Sequence, residues 1–132
     1  MRWFIFAVAV LHLAFMLGEL VPWSSPMLLG RLSEKLPQGL GTEIPKGKKW
    51  SNDQQRLVAT IVRNAGIYNG VLAGGLLWAA LPEVVNRDVA RVLLAGAAVA
   101  GIFGTATLRH PLTALQALLG IIGFAWIGFA QL

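Results

Sequence analysis

The chain has 132 residues, 56% of them hydrophobic and 13% charged, with a mean hydropathy of +0.66. A soluble domain of that length needs more polar surface to cover its exterior, so the composition points to an integral membrane protein. The net charge of +5 sits mostly beside apolar runs, which suits anionic lipid and topology control better than nucleic acid, and the absence of cysteine excludes disulfides, thiolate metal sites and cysteine nucleophiles.

The first apolar run, Phe4 to Val21, predicts a helix over about 3–22. Met1-Arg2 ahead of it imitates a signal peptide, but the run holds His12 and Glu19, lacks a clear small-residue cleavage site, and is long enough to span. Pro22 then leads into a long connection, about 23–55, with Pro26, Pro37, Pro45 and the basic stretch Lys46-Gly47-Lys48-Lys49-Trp50. Met27, Leu28, Leu32 and Leu36 repeat there at helical spacing. A short surface helix and a partly ordered loop are both compatible with that pattern. Ser51 and Gln54 have the spacing of a capping box before the second run, about 56–81, which Pro82 ends. Asn86-Arg87-Asp88 opens the third, about 89–108, and Arg109-His110-Pro111 turns into the fourth, about 111–131. The expected fold is all-α: a single domain over 1–132, built as a four-helix transmembrane bundle with one long loop.

The basic residues of loops one and three, Arg31, Lys35, Lys46, Lys48, Lys49, Arg56 and Arg109, outnumber Arg2, Arg87 and Arg91 on the other side. The positive-inside rule therefore predicts that these loops are cytoplasmic, in a bacterial inner membrane, with both termini outside. Small residues recur every four positions at Gly66, Gly70 and Gly74 and at Gly96, Ala100 and Gly104, while Gln116, Gly120 and Gly128 fall nearly on one line. Such stripes let backbones approach closely in lipid.

Polar side chains stand inside these apolar runs. His12, Met16, Glu19 and Trp23 are spaced four, three and four apart and form one stripe on the first helix. Asn64 and Tyr68 share a face of the second, with Asn69 about 100° further round than Tyr68, and Gln116 lies on the fourth. A charged residue at a helix centre costs roughly 2.5–3.5 kcal/mol on insertion scales, so such groups persist when they face a protein interior and have partners. By depth, Glu19, Asn64 and Gln116 lie within about two turns of the loop-one surface, with His12, Tyr68 and Asn69 near the midplane. The spacing predicts one polar cavity opening toward that side. Each residue also has a plainer reading: His12 bonded to a backbone carbonyl, Glu19 reaching water or a cation, the amides as interhelical glue, Tyr68 as a core aromatic. The set makes a poor metal site, with neither a second spaced carboxylate nor a His pair, and shows no nucleophile elbow at Ser24 or Ser25 and no phosphate-cradling loop.

The blocks His12…Glu19-Leu20…Trp23 and Asn64 through Trp78, with Gly101-Ile102-Phe103-Gly104 and Gln116, resemble the small four-helix membrane proteins of domain-of-unknown-function family 1304. The resemblance covers most of the chain outside loop one. Where that family typically has Gln this chain has Ala65, and its first loop is usually shorter. It implies a fold and marked positions, and no activity.

The residues support three functions. The first is an enzyme acting on a small lipophilic molecule by acid–base chemistry (isomerisation, cyclisation or epoxide opening). Glu19 would be general acid or base, His12 its proton partner and Tyr68 a hydrogen-bond donor, while Asn64, Asn69, Gln116, Trp23 and Met16 line the pocket. It requires no metal or organic cofactor. The second is a small-solute binding or transport protein, which would work as a homodimer. The third is an accessory subunit of a membrane complex, docking through loop one.

Overall fold

A computed structural model describes residues 1–22, 51–81, 86–108 and 110–129. Four helices account for nearly all of them: α1 (Arg2–Leu20), α2 (Asn52–Ala79), α3 (Arg87–Leu108) and α4 (Pro111–Phe129). The all-α membrane fold is the one the hydropathy predicts, with one qualification. α1, α3 (over Arg87–Thr107) and α4 are long and apolar enough to cross a membrane. α2 is the longest helix, but Asp53, Arg56, Arg63 and Asn64 make its first half polar. Membrane sequence in α2 is therefore concentrated after Asn64. Most of loop one, residues 23–50, lies outside the described residues, and with it the surface-helix reading of Met27 to Leu36.

The helix starts are fixed by side chains. Gln54 N–H donates to Ser51 Oγ at 3.2 Å, while Ser51 N–H donates to Gln54 Oε1 at 2.9 Å, which completes a capping box on α2. Asn86 Oδ1 accepts from Val89 N–H at 3.1 Å at the head of α3. At α4, His110 Nδ1 accepts from Leu112 N–H at 3.2 Å, and Pro111 takes the first helical position, where its missing N–H costs nothing.

The chain divides into two compact units, Met1–Leu13 with Gly70–Leu132, and Ala14–Asn69. In the first, Ile5, Val8 and Ala9 of α1, Leu76 and Ala79 of α2, Ala90 and Leu94 of α3 and Ile127 of α4 share one core. Its tightest contact joins α3 to α4. A Cβ on Gly101 would run into the Ala117 backbone, 2.6 Å from its Cα, and a Cβ on Gly120 would stand 2.5 Å from Ala98 N. The face of α3 used here is Ala90, Leu94, Ala97, Ala98, Gly101 and Gly104. The stripe expected from spacing, Gly96-Ala100-Gly104, is realised only at Gly104, since Gly96 and Ala100 point outward. On α2 likewise, Gly74 has nothing within 4 Å, and in this unit Ala73, Leu76 and Ala79 are the buried positions of the helix. In the second unit Gly66 is the close-approach residue, with Glu19, Leu20 and Met16 of α1 against it.

Large apolar side chains dominate the outside: Val71, Val92, Val99, Phe103 and Phe129 are each about 70% exposed. In water such a surface would drive association; against lipid tails it carries no penalty.

Candidate functional site

The polar residues form two bonded pairs and one outward face. His12 is fully buried on α1. Its Nδ1 lies 2.8 Å from the Val8 carbonyl, one turn back on the same helix, so Nδ1–H must donate there. Nε2 then accepts, and Gln116 Nε2–H, from α4, stands 3.3 Å away. The neutral Nδ1–H tautomer meets both contacts, an assignment that rests on the hydrogen-bond network. Gln116 reaches this depth because its neighbours on the buried face of α4 are Ala117, Gly120 and Gly123.

The second pair lies in the other unit. Asn69 Nδ2–H donates to Glu19 Oε2 at 2.7 Å. That is the short separation expected of a bond to an acidic oxygen. Gly66 makes it available. A Cβ on Gly66 would sit 3.1 Å from Glu19 Cβ, 3.1 Å from Leu20 Cγ and 3.3 Å from the Met16 carbonyl oxygen. With only hydrogen there, α2 comes close enough to α1 for Asn69, three residues on, to reach the carboxyl group. Met16 is half-buried at this contact.

Asn64 and Tyr68 stand apart from both pairs. They flank Gly66 by two residues each, about 200° around the helix, and so lie opposite the face that Gly66 turns to α1. Tyr68 is 71% exposed and Asn64 is exposed as well. Neither side chain makes a hydrogen bond among the described residues. Gly66, between them in sequence, meets Glu19, but the rotation of α2 turns Asn64 and Tyr68 away from that contact. Trp23, the last residue of the predicted stripe, lies outside the described residues.

Arg91 enters the sequence reading only as a topology charge, yet it is built into α3–α4 packing. Its guanidinium carbon lies 4.6 Å from the centre of the Phe124 ring, and its Nη2 would be 3.2 Å from a Cβ on Gly128. The missing side chain at Gly128 admits it, and its placement near the C-terminal end of α4 favours a cation. Among the described residues no three His, Cys, Asp or Glu side chains gather as a metal site. What the polar set offers chemically is one carboxyl group held by an amide, and one imidazole held by a carbonyl and an amide.

Residues 42–127 match the family described as Protein of unknown function (DUF1304). The chain belongs to that family. The matched stretch contains Asn64, Tyr68, Asn69 and Gln116, while α1, with His12 and Glu19, precedes it. No curated protein and no solved structure matches the chain.

Proposed function

We propose that this DUF1304 protein is an interaction subunit of the membrane, and that α2 docks on a second membrane chain through the face bearing Asn64 and Tyr68. The observation that carries the reading is their exposure on a helix of a membrane protein without a side-chain partner. Asn64 stands at the edge of the apolar half of α2 and Tyr68 within it, where polar groups lose contact with water and a neighbouring helix is the usual source of replacement hydrogen bonds. The rest of the face suits helix contact, with Ile67, Val71 and Trp78 exposed and nothing within 4 Å of a Cβ at Gly74. An asparagine amide both donates and accepts, so a second copy of the chain is the simplest partner. The inner polar groups fit this reading, because each is bonded to another helix. The basic-residue bias orients the protein with residues 23–55 and Arg109 toward the cytoplasm of a bacterial inner membrane.

The lack of native cysteine makes the test clean. Asn64→Cys, Tyr68→Cys and Val71→Cys, made singly, should cross-link in native membranes, whereas Ile121→Cys on the exposed side of α4 should not. The product mass separates a second copy from another chain. Equal absence of products at 64, 68 and 71 sinks the proposal.

A specific observation keeps a second reading in view. Among the described residues Glu19 pairs with a neutral amide rather than a cation, an arrangement suited to a proton donor or acceptor within the membrane. An acid–base enzyme for a small lipophilic substrate would use Glu19 as its acid or base. Tyr68, on the far side of α2, would not serve the same substrate. Glu19→Gln, which preserves an acceptor for Asn69, should then abolish conversion of a lipophilic epoxide or polyene by the purified protein while leaving its thermal stability unchanged.

A further inference from the structure

A groove of about 400 Å³ runs between the first turns of α1 and the last turns of α2, lined by Arg2, Trp3, Phe6, Leu77, Ala80 and Leu81. We infer that it holds an acyl chain of an anionic phospholipid, whose headgroup is taken by Arg2. The volume lies within the roughly 300–1,000 Å³ of ordinary ligand clefts. Five of the six lining residues are apolar, and Arg2 is the single charge. Both helix segments belong to the same compact unit.

Depth and charge decide the occupant. Arg2 opens α1 and Leu81 follows the end of α2, so the groove lies at a membrane surface rather than at the midplane. Trp3 is 73% exposed and edge-on to Phe6, with ring centres 6.2 Å apart. Tryptophan favours headgroup depth, where the ring is apolar and the N–H stays wet. The Arg2 guanidinium carbon lies 5.2 Å from the centre of the Trp3 ring. That stacking holds the cation at the mouth of the groove, and no carboxylate pairs with it among the described residues. An apolar channel with a held cation at its rim matches an amphiphile with an apolar tail and an anionic head. A zwitterionic lipid would fill the channel equally well and gain less at the rim.

The test uses the full chain in mild detergent, loaded with equal amounts of phosphatidylglycerol and phosphatidylcholine of identical acyl chains. Bound lipid is read by native mass spectrometry. Phosphatidylglycerol should be retained about fivefold over phosphatidylcholine, the preference one cation near an anionic headgroup supplies. Arg2→Gln should bring the ratio close to one, and Arg2→Lys should keep most of it. Leu81→Trp, which fills the groove from an exposed position, should lower retention of both lipids. If it lost helix content, Phe6→Glu would take its place. A wild-type ratio near one, a preference that survives Arg2→Gln, or retention indifferent to a filled or charged groove would overturn the inference.

Discussion

Gly120→Ala is expected to weaken the protein through a single crossing. The new methyl carbon would stand 2.5 Å from Ala98 N, 2.8 Å from Ala98 Cα and 2.8 Å from the Leu94 carbonyl oxygen. Carbon atoms in good contact lie about 3.5–4.0 Å apart, so α3 and α4 must part by roughly 1 Å there. Both obstacles are backbone, and no rotamer change relieves them. A gap of 0.5–1 Å forfeits about a quarter to a half of each contact's attraction, and Ala97, Ala98 and Ala117 all lie buried around this crossing. Overpacking of this kind costs typically about 1–3 kcal/mol, against which alanine regains at most about 1 kcal/mol of helix propensity. The expected net loss is about 1–2 kcal/mol. The contact is reciprocal, with Gly101 of α3 on the Ala117 backbone of α4, so Gly101→Ala should act alike, and the double variant should lose less than the sum once the helices have separated. Unfolding by denaturing detergent, followed by circular dichroism and by the fluorescence of the five tryptophans, measures this. Gly96→Ala and Gly74→Ala, with nothing within 4 Å, are the controls. If Gly120→Ala unfolds with the controls, the close approach of α3 and α4 is refuted.

Three further outcomes are expected. A double-mutant cycle on His12→Leu and Gln116→Leu should return a coupling of about 0.6 kcal/mol, and no more than about 1.7, the range for interhelical hydrogen bonds in lipid; zero coupling in the same unfolding assay would remove that bond. Ser51→Ala deletes the hydroxyl that accepts from Gln54 N–H and should cost about 1 kcal/mol, seen as earlier exchange of the amides in the first turn of α2. If α2 crosses the membrane despite its polar first half, single cysteines at Ser51 and His110 should react with an impermeant maleimide from one side and those at Arg2 and Asp88 from the other; Ser51 and Asp88 labelling together would mean that it does not.

The helix ends were legible because they are written in local chemistry. Ser51 with Gln54, Asn86, and His110-Pro111 each satisfy or excuse backbone groups within three residues of themselves, and no tertiary contact is needed to see it. Rotation about the helix axis was not legible. In water an apolar stripe marks the inner face; in α3 and α4 every face is apolar, so periodicity carries no inside or outside. That is why Gly96-Ala100-Gly104 looked like the contact stripe while Ala97, Ala98 and Gly101 share that role. The same blindness grouped Asn64 and Tyr68 with Glu19. Counting along the chain carries no azimuth; that depends on which glycine meets which neighbour, and on α2 it is Gly66 that meets Glu19.

The two polar pairs have a common logic. Each joins α1 to another helix, His12 to Gln116 of α4 and Glu19 to Asn69 of α2. Once helices are in lipid, burial of apolar surface no longer selects one neighbour over another, because the tails are as apolar as leucine. Close packing at small residues does select. α1 has fewer such residues than α3, whose buried face is largely alanine and glycine. Directional bonds can supply what shape does not: an amide must meet its acceptor at one depth and one azimuth, or remain unpaired in hydrocarbon. On this argument the pairs fix the register and rotation of α1 more than they add to stability. Replacing both acceptors with leucine should therefore leave a protein that still inserts and remains helical but whose α1 packs in more than one way, visible as broadened or multiplied Trp3 indole resonances. A single sharp Trp3 resonance in the His12→Leu, Glu19→Leu variant would show that packing alone positions the helix.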